Sequence, residues 1–180
     1  MGNLEYVIGD ATSPIGEGRK IIIHCCNNIG GWGSGFVVAL SNKWERPELD
    51  YRGWFRSGYD DYSDERFALG NVQYVYIQDG LIVCNMIGQQ GIGWSNGRAP
   101  IRYGAIGMCL EKVAQYAKLH NCSIHAPRFG AGLAGGNWML IEQMIQAIVL
   151  PYGVDVTIYD LPNAEDQSHL IKNRIDMDLF

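Results

Sequence analysis

Two glycine-rich segments are the parts of this sequence whose residue types and spacing could do chemistry. Residues 30–35 follow an apolar run at 20–24, and residues 130–136 follow another at 123–127, so each segment joins a predicted strand to a predicted helix. Glycine lets the backbone approach a ligand closely and adopt positive φ, and the unpaired N–H groups at a helix start attract anions. Two such segments at the ends of neighbouring strands predict a clamp for a pyrophosphate that needs no lysine.

Two other interpretations of these segments stay open. Both segments could be simple tight turns, although two of them in a chain that is poor in charge favour phosphate binding. The later segment also matches G-x-G-x-x-G at Gly130, Gly132 and Gly135, with Asp160 at the end of the next predicted strand, a pattern typical of nicotinamide-cofactor enzymes. Its position disfavours that hypothesis, because the fingerprint belongs to the first strand of a dinucleotide domain and only one strand follows it here.

The composition is that of a globular chain, with 180 residues, 47% hydrophobic residues, 18% charged residues and a net charge of −5. This length predicts one domain, and the lack of a Lys/Arg block argues against strong nucleic-acid binding. No apolar run is long enough for a membrane span, and the first residues lack the order of a signal peptide. The five cysteines are odd in number and form no CxxC pair, so we expect free thiols in a cytoplasmic protein without a metal site or cofactor.

The hydrophobic pattern predicts alternating strands and helices around these segments. We expect strands at residues 4–8, 20–24, 72–78, 81–87, 123–127 and 154–159. We expect helices at residues 36–43, 47–56, 101–119 and 138–149, the last with Asn137 as its N-cap. Asp79-Gly80 predicts a hairpin. The sequence therefore predicts an α/β domain over residues 1–162, with a mixed, mostly parallel sheet covered on both faces and a C-terminal extension of unknown role at 163–180.

The sequence resembles the macro domain family, and within it the branch that contains ADP-ribose 1″-phosphate phosphatases and terminal ADP-ribose glycohydrolases. Residues 87–93 are similar to those of phage and bacterial members of that branch. The segments that carry the resemblance are Gly9-Asp10-Ala11-Thr12, His24-Cys25-Cys26-Asn27, Gly33-Ser34-Gly35-Phe36, residues 127–138 and residues 156–161.

The resemblance implies a three-layer α/β/α fold with ADP-ribose in a cleft at the carboxyl edge of the sheet. It implies that Asp10 accepts from the adenine amino group beside the Ala11 backbone, that Tyr159 packs on the adenine, and that Asn27 binds the distal ribose. These three side chains could instead be a turn aspartate, a core aromatic and a capping or turn residue. The other implied ligand contacts are Gly33, Ser34, Gly35, Phe36, Gln89, Phe129, Gly130, Ala131, Gly132, Leu133, Ala134 and Gly135.

The sequence departs from that branch at two positions that carry catalytic residues in the glycohydrolases. The resemblance implies a lysine near the position of Gln89 and an aspartate near that of Ala134 in the glycohydrolases, and this sequence has neither. Glutamine cannot form a Schiff base and alanine cannot carry a proton, so lysyl-intermediate chemistry is not expected. His24 and Asn27 are the remaining catalytic candidates, because phosphatase-like members carry a histidine at the matching strand end. The alternative for His24 is a buried histidine bonded to backbone.

The predicted function is ADP-ribose binding together with hydrolysis. The substrate would be ADP-ribose 1″-phosphate or a macromolecule that carries ADP-ribose, with no membrane partner. The alternative is a reader module that binds ADP-ribose without turnover, which the missing lysine and aspartate favour.

Overall fold

The computed structural model describes residues 1–161, and every predicted strand and helix is present. The strands are β1 (Leu4–Ile8), β2 (Arg19–Asn27), β3 (Val72–Gln78), β4 (Leu81–Gln89), β5 (Cys122–Pro127) and β6 (Val156–Asp160). The helices are α1 (Phe36–Ser41), α2 (Arg46–Ser57), α3 (Tyr103–His120) and α4 (Trp138–Met144). Helix α4 continues through a π turn at Ile145–Val149 into a 3₁₀ turn at Leu150–Tyr152, and the Asn137 side chain caps its start by accepting from Leu140 N.

The six strands form one mixed sheet in the order β1-β6-β5-β2-β4-β3. In this spatial order, each pair of neighbours from β1 through β6, β5 and β2 to β4 is parallel. The sixth strand, β3, runs antiparallel to its neighbour β4. The β3–β4 hairpin turns at Asp79-Gly80, where Gly80 adopts a φ of +76° that a residue without Cβ tolerates. Because five strands run the same way, their carboxyl ends share one edge of the sheet, and the loops that follow them gather there.

Helices cover both faces of the sheet, which confirms the predicted three-layer arrangement. In β2, Ile21 and Ile23 pack with Leu110 of α3, whereas Ile22 packs with Trp54 of α2 on the opposite face. This alternation follows from the two-residue period of a strand. All five side chains are at most 1% exposed, and each buried aliphatic side chain contributes about 1.5–3 kcal/mol to folding.

The predicted domain of residues 1–162 is described as far as Leu161, and the predicted extension at residues 163–180 lies outside the described residues. None of the helices described in residues 1–161 is long and apolar enough to cross a membrane.

Candidate functional site

Four loops at the carboxyl edge of the sheet form the candidate site. We call them the Asp10 loop (residues 9–18, after β1), the first glycine loop (28–35, after β2), the arch (90–102, after β4) and the second glycine loop (128–137, after β5). The strand order places them along the edge in the sequence Asp10 loop, second glycine loop, first glycine loop, arch. The fold therefore gathers the four loops into one row.

The Asp10 loop presents an exposed carboxylate on a fixed turn. Asp10 Oδ1 accepts hydrogen bonds from the backbone N and the Oγ1 of Thr12, both at 2.8 Å. Within residues 1–161, no donor contacts its Oδ2, so that oxygen is open to a ligand. Lys43 at the end of α1 donates to the Thr12 carbonyl at 2.7 Å and holds the loop from outside. Ala11 is 3% exposed, so it can offer a ligand little more than backbone.

Tyr159 supports this loop from below through a buried hydrogen-bond chain. Its hydroxyl accepts from Ile15 N at 2.9 Å and lies 2.8 Å from His125 Nδ1, while His125 Nε2 lies 2.8 Å from Ser123 Oγ. Burial, with a smaller effect of Lys20, lowers the pKa of His125 to about 4, so the ring is neutral and Nδ1 can accept from the tyrosine hydroxyl. Tyr159 is only 4% exposed, so its ring lies beneath the loop and offers little open face to a base.

Asn27 organises the first glycine loop. A register shift in β2 falls between Cys26 and Asn27. Asn27 Oδ1 accepts from Gly31 N at 2.9 Å and from Ile29 N at 3.1 Å, and its Nδ2 donates to Gly31 O at 2.8 Å. The amide thus closes the loop on itself, which matches the turn-residue alternative. One N–H of Nδ2 is left for a ligand.

Helix α2 braces this loop through residues that the sequence analysis did not select. The Tyr51 hydroxyl donates to the Asn27 carbonyl at 2.6 Å. Arg52 donates to the carbonyls of Gly30 at 3.1 Å and Trp32 at 3.2 Å. These contacts point the loop carbonyls at α2 and away from the cleft, where they would repel an anion. No local pattern in the sequence indicates such contacts, since α2 is separate from the loop along the chain.

The second glycine loop is closed by its own backbone. Gly135 N donates to Gly132 O and Gly136 N donates to Gly130 O, both at 2.8 Å. Gly130 and Gly135 have φ of +73° and +69°, which explains glycine at these positions. Phe129 is 4% exposed and anchors the start of the loop in the core. Among residues 1–161, no atom lies within 4 Å of the place that a Cβ on Gly132 would take, so its Cβ direction points to open space.

The two glycine loops lie close to each other, and each has backbone N–H groups that donate to no acceptor within residues 1–161. Within residues 1–161, no protein acceptor contacts the N–H groups of Gly33, Ser34, Phe36, Gly132, Leu133 or Ala134. Leu133 Cδ1 lies 3.3 Å from the position that a Cβ on Gly35 would take. Such N–H groups, arranged on facing loops, can bind an anion without a cationic side chain.

His24 is not brought to this cleft. It is 1% exposed, its Nε2 lies 2.6 Å from Asn85 Oδ1, and the rings of Trp32 and Phe36 lie 5.4 and 5.9 Å away. Asn85 uses its Nδ2 to donate to Pro47 O at 3.2 Å, so its Oδ1 must accept, and His24 carries its proton on Nε2. Burial lowers the pKa of His24 to about 4 despite that hydrogen bond. These surroundings are those of a core histidine and run against the catalytic role predicted from the sequence.

Gln89 stands at the end of β4 beside the arch. Its Nε2 donates to Gly91 O at 3.0 Å, and Gly91 N donates to Asn28 Oδ1 at 2.8 Å. The arch is thereby tied to the first glycine loop. Two further arch residues, Ile92 and Trp94, lie against the glycine loops and were not selected from the sequence.

Other features of the described residues lie away from this edge. A surface cavity of about 430 Å³ opens at the opposite, amino-terminal edge of the sheet, beside Arg19, Asn121 and Asp155. The last residues of the Asp10 loop, Glu17 and Gly18, line it, whereas none of its lining residues belongs to the two glycine loops or the arch. Within residues 1–161, no three His, Cys, Asp or Glu side chains converge in a way that could hold a metal ion.

Solved structures with similar sequences share this fold. The chain is 49% identical to a protein of unknown function from Bacteroides thetaiotaomicron, with a TM-score of 0.83 over 89% of this chain and 99% of that one. It is 44% identical to a macrodomain protein from Streptomyces coelicolor, with a TM-score of 0.75 over 88% of this chain and 99% of that one.

Curated relatives are more distant. The mouse chromodomain-helicase-DNA-binding protein 1-like is 29% identical over 171 residues, which are 91% of this chain but 18% of that protein. The chain thus spans less than a fifth of this relative. The ADP-ribose 1″-phosphate phosphatase of Candida albicans is 24% identical over 158 residues, covering 79% of this chain and 92% of that protein. No protein-family model matches the chain.

Proposed function

Since the chain belongs to the macrodomain family, we propose that its four-loop cleft binds ADP-ribose. The observation that carries this proposal is the pair of neighbouring glycine loops with spare backbone N–H groups, which approach each other at Leu133 and Gly35. A diphosphate between these loops would accept hydrogen bonds from both sides, and charged acceptors form the stronger hydrogen bonds. The net charge of −5 is compatible with this, because backbone donors and not lysines supply the attraction.

The row of loops also has the order that ADP-ribose requires. Adenine would lie at the Asp10 loop with its amino group donating to Asp10 Oδ2, and the diphosphate would lie between the glycine loops. The distal ribose would then lie near Asn27, Gln89 and the arch. Four strand spacings separate β1 from β4 in the sheet, which is about 19 Å. That span suits an extended nucleoside diphosphate sugar better than a single nucleotide.

A second candidate function is slow hydrolysis at the distal ribose. The similarity to the Candida albicans ADP-ribose 1″-phosphate phosphatase favours it. The described residues offer amides at that end of the cleft, those of Asn27 and Gln89, and His24 is buried behind Trp32. Turnover would therefore depend on positioning and on backbone donors that stabilise a developing charge. His24 would act only by holding the β2 strand end in place.

Backbone amide NMR tests the binding proposal. Titration with ADP-ribose should shift the resonances of Gly33, Ser34, Gly132 and Leu133 together, because a diphosphate would bond to both loops. The amides of α3 that are remote from the edge serve as the internal control. Shifts confined to residues around the opposite cavity, or to one glycine loop, would contradict the proposed clamp.

Phosphate release tests the hydrolase candidate. The protein is incubated with ADP-ribose 1″-phosphate with and without a metal chelator, and released phosphate is measured. Slow release that the chelator does not change is the expected result. Tight binding of ADP-ribose without any release of phosphate would instead favour a reader that binds ADP-ribose and does not hydrolyse this substrate.

A further inference from the structure

The arch is a fixed element of the cleft. Gln90 N donates to Pro100 O at 2.8 Å, and Ser95 and Arg98 exchange backbone hydrogen bonds of 3.1 and 3.0 Å. Its tip is a tight turn at Asn96 and Gly97, both with positive φ, as the turn of a two-residue hairpin requires. The backbone that carries the arch side chains is therefore held in place before a ligand arrives.

Two large apolar side chains of the arch lie against the glycine loops and remain exposed. Ile92 Cδ1 is 2.5 Å from the position that a Cβ on Gly31 would take, and Trp94 Cζ2 is 3.1 Å from the corresponding position on Gly135. Ile92 is 65% exposed and Trp94 is 56% exposed. Adjacent exposed apolar groups at the mouth of a cleft indicate a surface that is covered in use.

The position of these side chains along the edge indicates what would cover them. The arch follows β4, which is four strands from β1 and its Asp10 loop. A ligand that places its adenine at the Asp10 loop and its diphosphate between the glycine loops therefore directs its distal ribose at the arch. Ile92 and Trp94 lie where a group attached to that ribose would leave the cleft.

We propose that Ile92 and Trp94 bind the carrier of the ADP-ribose, and that this carrier is a protein. The inference rests on the proposed ADP-ribose binding and names the substrate class of the same cleft. A phosphate on the distal ribose is small and fully polar, so it would leave the apolar surfaces of Ile92 and Trp94 uncovered, whereas a protein segment can cover both. Large aromatic side chains are the usual anchors of protein interfaces.

The charge of the arch points to an acidic and apolar segment of that carrier. Residues 88–103 contain two arginines and no acidic residue, in a chain whose net charge is −5. Arg102 is already bonded to Gln90 Oε1 at 3.0 Å and to the Ala99 carbonyl at 2.7 Å. Arg98 is exposed and can pair with a carboxylate. One exposed arginine is too few for the phosphate contacts of a nucleic-acid carrier.

The experiment compares three ligands on the full chain. Dissociation constants are measured for free ADP-ribose, for a mono-ADP-ribosylated peptide with acidic and apolar residues around the modified side chain, and for a mono-ADP-ribosylated single-stranded oligonucleotide. Wild-type protein is compared with Trp94→Ala, Ile92→Ala and the control Tyr76→Ala, which removes another exposed aromatic side chain on β3, away from the cleft. Circular dichroism checks that each variant is folded, as is expected for exposed positions.

The expected result is selective. Trp94→Ala should weaken binding of the modified peptide by about tenfold and leave binding of free ADP-ribose unchanged. Ile92→Ala should weaken binding of the peptide by a smaller factor, and Tyr76→Ala should change neither affinity. Equal loss for peptide and free ADP-ribose would place Trp94 in the ADP-ribose site itself and overturn the inference. No loss for the peptide, or a loss seen only with the oligonucleotide, would also overturn it. If the wild-type protein does not bind free ADP-ribose, the proposed function fails first and the inference fails with it.

Discussion

Leu133 of the second glycine loop lies directly against Gly35 of the first, with its Cδ1 3.3 Å from the place of a Cβ on that glycine. The contact joins two loops that are about a hundred residues apart in the sequence, each of which has spare backbone N–H groups. Leu133 is 56% exposed, so it can swing away without disturbing the core.

Gly132→Val should abolish ADP-ribose binding and leave the fold intact. No atom of the described residues 1–161 lies within 4 Å of the added Cβ, and the backbone at Gly132 is not in the positive-φ region. The valine therefore projects into open space where the diphosphate would lie. Gly53→Val in α2 is the matched control, since its Cβ also meets nothing within 4 Å. Calorimetric titration gives the affinity and a thermal melt gives the stability. Normal binding by a folded Gly132→Val protein would remove the second loop from the site.

Asp10→Asn should weaken ADP-ribose binding by about 1–3 kcal/mol, the cost of losing one hydrogen bond that the adenine would make in the complex. The substitution keeps an oxygen that can accept from Thr12, but it replaces Oδ2 with a donor that faces the adenine amino group. Asp10→Ala should weaken binding at least as much, because it also releases the turn. Thr12→Val is the control, since it removes only the Oγ1 hydrogen bond to Asp10. An affinity unchanged in Asp10→Asn would exclude Asp10 from the adenine site.

Tyr159→Phe should lower the free energy of unfolding by about 1–3 kcal/mol. The change leaves Ile15 N without its acceptor and His125 Nδ1 without its donor, both beneath the Asp10 loop. Urea unfolding measures this loss, with Tyr76→Phe as an exposed control. We also expect weaker ADP-ribose binding, because a loosened loop must be ordered again by the ligand. A variant as stable as the wild-type protein would show that the hydrogen-bond chain contributes nothing to folding.

Stability should fall as the pH is lowered from 6.5 toward 4. Burial lowers the pKa of His24 and of His125 to about 4, whereas both have an ordinary pKa near 6.5 in the unfolded chain. In this range the unfolded state binds protons that the folded state does not, so the stability is fully present above pH 6.5. Each histidine contributes a slope of at most about 1.4 kcal/mol per pH unit.

Urea unfolding at pH 7.0 and pH 5.0 checks this slope. His125→Gln should reduce the pH dependence, and His24→Gln should do the same, since each removes one buried neutral histidine. The free energy of unfolding of the wild-type protein at each pH is the reference. A pH dependence that persists unchanged in His24→Gln would mean that His24 is accessible to protons in the folded state, which would restore it as a catalytic candidate.

The sequence predicted much of the fold because its signals are local. The alternation of apolar strands with helical stripes and the Asp79-Gly80 turn all appear in the structure. The glycines with positive φ, such as Gly35, Gly130 and Gly135, could likewise be selected from their clustering.

The supports of the site could not be predicted, because they come from distant parts of the chain. Arg52 braces the first glycine loop and Lys43 braces the Asp10 loop, and neither contact leaves a pattern in the sequence. The same limit applies to His24, whose burial depends on Trp32 and Phe36 folding over it. Trp94 could have been noticed as a tryptophan inside a glycine-rich loop, but only the packing shows that it lies against Gly135.

Calorimetric titration of the wild-type protein with ADP-ribose, with NAD titrated in parallel, tests the central proposal most directly. We expect one ADP-ribose per chain with a dissociation constant in the micromolar range or tighter, about −8 kcal/mol. NAD should bind no more tightly, because its nicotinamide would leave the cleft past the exposed Ile92 and Trp94 and adds nothing to the diphosphate clamp. No detectable binding of ADP-ribose at millimolar concentration, or tighter binding of NAD than of ADP-ribose, would contradict the proposed function.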